Sequence, residues 1–133
     1  MIQSAPLYAL SVWQPWAWLL FNGMDVLSRS YPLPWRMNGR RVVIHACRRG
    51  SFRDWEEGKR IAEKCGITLP VPGDLVYGAG LGTVVFSGCV DCSPSYWFRG
   101  PYGWTITDPQ AWLEPVKADG NLGFWEWKEQ QRG

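Results

Sequence analysis

A chain of 133 residues, 46% hydrophobic and 20% charged, has the size and composition of one globular domain spanning 1–133. It is long enough to bury about two-thirds of its unfolded surface without disulfides or metals. The formal net charge of only +2 excludes a polycation, and no apolar run approaches the roughly 20 residues needed to cross a bilayer. The N-terminus has no basic n-region and its apolar stretch is interrupted by Gln14-Pro15, so no secretory signal is expected and the cytoplasm is the expected compartment. Cys47, Cys65, Cys89 and Cys92 are then thiols.

Leu7 to Val12 is an apolar, β-favouring run that Gln14-Pro15 breaks, and Trp16 to Asn22 is a compact helical segment with Gly23 at its C-cap. Pro15 fits the first helical position, where it has no N–H to leave unpaired. Gln14 then sits at the helix mouth, where free N–H groups suit an anion or a polar base edge. A second strand is expected near Val26 to Ser30, a loop from Tyr31 through Trp35 to Gly39, and a strong strand over Arg40 to Ala46. Ser51 begins a helix as N-cap, and Gly66 stops it. Leu75–Tyr77 and Leu81–Val90 read as strands joined through glycines, the second bending at Gly88. Ser93 to Gly103 is an aromatic loop suited to a lid or rim. Trp104–Thr107 reads as a strand turned by Asp108-Pro109, Ala111–Val116 continues it, and Asn121–Trp127 closes the set. No repeat or low-complexity segment interrupts the pattern. The expected class is mixed α/β, mainly β: a small barrel with short helices over its mouth.

Two features bear on function. Ten Trp in 133 residues exceed what a small core uses, so some rings should line a groove. Between Arg29 and Arg60 lie nine of the fourteen basic residues against three acidic ones, and eight of the nine are Arg, the side chain that grips phosphate bidentately and stacks on bases. An ordinary charged surface is the competing account. Cys89-Val-Asp-Cys92 has metal-ligand spacing but no second pair, so no metal site is expected. The glycines of 78–82 lack the helix and Lys of a phosphate-cradling loop.

The order Leu10-Ser-Val-Trp-Gln-Pro-Trp-Ala17, Gly23 with Arg29 six residues on, Val43-Ile-His-Ala46 and Gly120-Asn-Leu-Gly-Phe-Trp125 resembles the ASCH domain, over nearly the whole chain. The resemblance implies a PUA-like β-barrel, akin to RNA-binding PUA domains and to EVE domains that recognise modified bases. Members commonly read Gly-x-Lys-x-x-Glu-x-Arg after the first helix. Aligned on Arg29, this chain has Met24 for the Lys and Leu27 for the Glu. Some relatives are amidohydrolases of N4-acetylcytidine that use a lysine, a threonine and a glutamate; here the lysine position is Met24 and the threonine falls on Leu27 or its neighbour. That catalytic set is broken.

The binding expectation is therefore a module for RNA or other single-stranded nucleic acid, or for a modified nucleoside, with no cofactor. Trp16, Trp35, Trp97 or Trp104 would offer stacking surface, while Gln14, Ser30, His45 and Asn121 would read a base edge. Arg29, Arg36, Arg40 and Arg41 would hold phosphates, with Tyr102 in a supporting part. The alternative is a small hydrolase, either a ribonuclease or an enzyme acting on a modified nucleoside. Its weak catalytic candidate is His45, the only histidine, with Asp91, Cys47 or Lys117 as partners. A protein-interaction module is a third class. For each residue the plain structural account stands beside these: Gln14 as helix cap, Arg29 paired with Asp25 or Asp108, the aromatics as core.

Overall fold

A computed structural model of the protein describes residues 6–128. Among these the chain runs β1 (Tyr8–Val12), α1 (Trp16–Leu19), β2 (Val26–Arg29), β3 (Arg41–Ala46), α2 (Phe52–Lys64), β4 (Ala79–Val90), β5 (Tyr102–Lys117) and β6 (Phe124–Glu126), with 3-10 turns at Trp35–Met37 and Pro72–Asp74. All six strands form one sheet in the order β2-β5-β4-β3-β1-β6. β1 and β3 are parallel, Ser11 opposite His45, and every other pairing is antiparallel. The mixed, mainly β class is as expected.

The expected barrel is not closed. β2 and β6, of four and three residues, are the sheet's two edges. Strands this short leave little ladder to pair edge to edge. The sheet curls instead: Trp104 of β5, opposite Leu27 of β2, lies stacked on Phe124 of β6 with ring centroids 5.7 Å apart. Inside the curl a core forms from alternate positions of the strands, Leu10, Val42, Ile44, Val84, Phe86 and Trp104 among them, closed by α1 and by Ile61 and Ala62 of α2. Their partners on the other face, Ala9 and Val43, pack with Ala118, Trp125 and Trp127.

Several boundaries move for physical reasons. Pro15 stands at the N-cap of α1 rather than at its first helical position. Leu75–Tyr77 stays outside the sheet, and β4 begins only after Gly78. Asp108-Pro109 does not end a strand, because β5 continues through it to Lys117. The ladder with β4 skips there: Thr107 faces Val85 and Gln110 faces Thr83, then Ala111 faces Gly82 and Val116 faces Gly80. Pro109 and Pro115 both fall in the excluded residues, where no N–H is owed to the neighbour. Gly82 permits the closest crossing, since a Cβ there would lie 2.3 Å from the Gln110 carbonyl oxygen. α2 obeys its sequence signals, with Ser51 Oγ accepting from Asp54 N at 3.3 Å.

The tryptophans divide. Trp16, Trp97, Trp104, Trp125 and Trp127 are buried, whereas Trp13 is 47% and Trp35 87% exposed.

Candidate functional site

The open seam of the curled sheet holds a cavity of about 830 Å³, within the usual range for small-ligand sites. One wall is β2, through Leu27, Ser28 and Arg29; the opposite wall is the segment entering β6, Asn121 to Gly123. The end of the parallel pair supplies the floor, with Ser11, His45 and the residues that follow each strand, Trp13 and Cys47-Arg48.

Local structure explains how each cation reaches this space. The loop after β4 is anchored by Trp97, 4% exposed, and by Ser28, whose Oγ donates to Trp97 O at 3.3 Å and accepts from Arg99 N at 2.7 Å. That pins Arg99, and its guanidinium lies 4.3 Å from the Trp16 ring centroid. Arg29 lies over two rings, 5.1 Å from Trp104 and 5.3 Å from Tyr31, and donates to the Tyr31 hydroxyl at 3.0 Å. Arg48 donates to Asp119 Oδ1 at 2.5 Å, a pair with side chains 78% and 87% exposed, so the bond is weak in water. Among the described residues neither Arg29 nor Arg99 has a carboxylate within ion-pair distance. The partners considered for Arg29 are engaged elsewhere: Asp25 accepts from Ser95 Oγ and Asp108 binds Arg41.

The floor is polar and fully wired. His45 is 2% exposed, and its Nε2 is 2.7 Å from the carbonyl oxygen of Ala118. A carbonyl only accepts, so Nε2 carries the proton and Nδ1 is left to accept from the Ser11 hydroxyl at 3.1 Å. Ser11 Oγ in turn accepts from Trp125 Nε1 at 3.3 Å. Burial holds the imidazole below its ordinary value, against the Ala118 hydrogen bond and nearby Asp119, which act to raise it. The ring is therefore neutral at pH 7. Burial likewise pushes the Cys47 thiol up, in spite of the Arg29 charge, so Cys47 is no thiolate and His45 has no free nitrogen for it. Gly120 seals this corner, because a Cβ there would stand 2.6 Å from Ser11 Oγ and 2.8 Å from the His45 ring.

Of the residues singled out in the sequence, Trp16, Arg29, His45 and Asn121 line the cavity, and Trp104 lies under Arg29 as fully buried core. The others do not join them. Gln14 is 2% exposed and caps α1: its Oε1 accepts from Trp18 N at 2.9 Å and its Nε2 donates to Val76 O at 2.8 Å, leaving nothing to read a base. Arg40 lies over Tyr8 and donates to Pro6 O, and Arg41 is bound to Thr83 and Asp108. Ser30, Trp35, Arg36 and Tyr102 are outside the lining. Asp91 follows the end of β4, while His45 pairs with Gly80 at its start, so the two are not brought together. Lys117 and Tyr102 stand at opposite ends of β5. Ser11, Trp13, Arg48 and Arg99 are among the lining residues that the sequence does not single out. Arg48 had a signal in the basic stretch and Arg99 in the aromatic loop; Ser11 and Trp13 flank Val12 with nothing in their types to mark them.

The arrangement offers positive charge beside flat apolar surface over a polar floor. Among the described residues no three His, Cys, Asp or Glu side chains come together as a metal cluster. Among the described residues no helix is long and apolar enough to cross a membrane. No protein-family model matches the chain, and no curated protein matches it.

Proposed function

We propose that the seam cavity binds a nucleobase with its attached phosphate, and that the protein is a nucleic-acid-binding module for single-stranded RNA or RNA carrying a modified base. One observation carries this reading: Arg29, Arg48 and Arg99 reach a single cavity walled by Trp13 and Trp16, two of these three cations lacking a carboxylate partner among the described residues. Guanidinium groups neutralise phosphate and ring faces stack on bases, each stack contributing roughly 1–3 kcal/mol. The resemblance to ASCH domains points the same way. In that reading the curled sheet is a PUA-like barrel with an open seam, and Met24 and Leu27, where relatives carry Lys and Glu, leave the site fit for a bulky or modified base. The test is titration of Trp fluorescence with a short single-stranded RNA at two salt concentrations, with the RNA recovered and run on a gel. Quenching that weakens with salt and is reduced in Arg29→Ala supports the reading. No quenching at low salt overturns it.

The hydrogen bond from Ser11 to His45 Nδ1 favours one second reading, a small hydrolase of RNA or of a modified nucleoside. There the neutral imidazole would take the Ser11 proton as Oγ bonds to the acyl carbon or phosphorus, and would return it to the departing amine or alkoxide; water would then release the group from Oγ. Product in the recovered sample that is lost in Ser11→Ala would put this reading first. Intact RNA together with an unchanged N4-acetylcytidine in the same assay would dismiss it.

A further inference from the structure

A second cavity of about 300 Å³ adjoins the seam. Three separate stretches of chain line first one cavity and then the other: Trp13 then Gln14, Arg48 then Gly50, and Gly78 beside Tyr77. Successive Cα atoms are only about 3.8 Å apart, so the two spaces share a wall, and Arg48 belongs to both. The chemistry of the second space is unlike that of the first. Phe52, 63% exposed in the first turn of α2, is stacked on Trp55 with centroids 5.4 Å apart and planes 21° from parallel. Trp55 Nε1 donates to Pro70 O at 2.8 Å and the Tyr77 hydroxyl donates to Pro72 O at 3.0 Å. With their polar atoms satisfied inside the protein, these rings offer mainly faces, and Trp55 shares its own between Phe52 and Lys59, whose Nζ lies 5.6 Å from the ring centroid. The outer face of Phe52 is flat apolar surface of the kind a base covers.

We propose that this second cavity receives the base next to the one held in the seam, with the linking phosphate at Arg48, so that the ligand is a single strand of at least two nucleotides rather than a free nucleoside. The inference rests on the nucleic-acid reading of the seam and adds three properties to it. Bases splayed into separate spaces on either side of one guanidinium cannot be paired, so a duplex is refused. The second position tolerates any base, because it is gripped by ring faces, and every base has a π-face. Selectivity stays with the first position, where Asn121 lies in the lining.

Titration calorimetry with the ribonucleoside 5′-monophosphates and with the full set of ribodinucleoside monophosphates decides it. Dinucleotides are expected to bind about tenfold or more tighter than the best mononucleotide, as one added stacked base implies. Exchange of one base should change affinity little, and exchange of the other should change it several-fold. Phe52→Ala, an exposed site, should bring the dinucleotides down to the mononucleotide level measured on the same variant. Leu113→Ala, at a 99% exposed position far along β5, is the control that keeps the gain. A strand with 5-iodouracil at the tolerant position should crosslink to the peptide bearing Phe52 and Trp55. Mononucleotides that bind as tightly as dinucleotides, or a gain that survives Phe52→Ala, would overturn the inference while leaving the seam reading standing. If neither class of ligand binds, both fall together.

Discussion

Arg29 closes β2 and Arg41 opens β3, each partly buried beside the sheet, yet the fold gives them opposite tasks. Arg41 is consumed where it stands. It donates to Thr83 Oγ1 and to the Asp108 carbonyl and pairs with the Asp108 carboxylate, holding the β5 bulge against β4. Arg29 meets one hydroxyl and two ring faces, so its charge is oriented but not neutralised. Other arginines of the basic stretch are also engaged, Arg60 with Glu57 and Arg40 with the Pro6 carbonyl, whereas Arg99, far outside the stretch, stands in the seam. What separates Arg29 from Arg41 is the partner each already has, and those partners are set by the fold.

The largest effect expected on either side of that division belongs to the rings beneath. Trp104 is fully buried, meets Phe86 edge-on and Phe124 face-on, and donates to Tyr31 O at 3.1 Å. Trp104→Ala should cost about 3–5 kcal/mol and remove the platform under Arg29, read as a lower denaturant midpoint. Trp35→Ala, at an 87% exposed ring, should stay within about 0.5 kcal/mol. Equal losses for the two would mean that burial is not what distinguishes them.

Ligand affinity comes next. Arg29→Ala and Arg99→Ala should each weaken a short single strand about tenfold and flatten the salt dependence by about one phosphate's worth. Neither should lower stability by more than about 1 kcal/mol, since no ion pair is lost. Calorimetric affinities at several salt concentrations check both numbers. A large fall in stability in either variant would show that its charge is structural after all.

Local order was legible in the chain; convergence was not. The Ser51 cap, the β-branched run of β3 and the Gln14-Pro15 break are written in neighbouring residues, and each element formed close to where those signals lie. The sheet's class followed from them. Its failure to close did not, because that depends on β2 and β6 being edge strands so short, which only the pairing decides. Cavity residues that belong to strong local signals, Trp16, Arg29, His45 and Asn121, were found. Ser11 was passed over because its use comes from His45, its cross-strand partner 34 residues on, and Arg99 because Ser28 and Trp97 fix it from a distance. Gln14 misled for the opposite reason: a polar side chain at a helix mouth suits a ligand, until the Val76 carbonyl, 62 residues on, claims it first.

His45 offers a smaller effect, and one confined to acid. Its folded value lies below the unfolded one of about 6.5, so the unfolded chain takes up the proton first as pH falls. Its share of stability is complete above about pH 7 and is lost as pH drops through the lowered folded value. Denaturant midpoints across that window should fall in the native protein. His45→Gln should remove that part of the slope, because glutamine does not titrate. An unchanged slope would mean that the imidazole is already as solvated as in the unfolded chain.

Arg41→Ala is the counterpart to Arg29→Ala and should do least to binding. Its pair with Asp108 lies where the carboxylate is 57% exposed and solvent replaces it well, so the stability loss, chiefly from the buried Thr83 hydroxyl losing its donor, should be about 1 kcal/mol. No part of its side chain lines the seam, so single-strand affinity and its salt dependence should both be unchanged. The variant also leaves Asp108 unpaired, making the outer face more negative by one charge. If long-range attraction to the whole basic stretch drew the strand in, that change would still slow association and lower affinity at low salt. A flat response at low salt therefore assigns binding to the seam's own arginines, whereas a loss matching that of Arg29→Ala would return the site to the basic stretch as a whole and erase the distinction between the two regions.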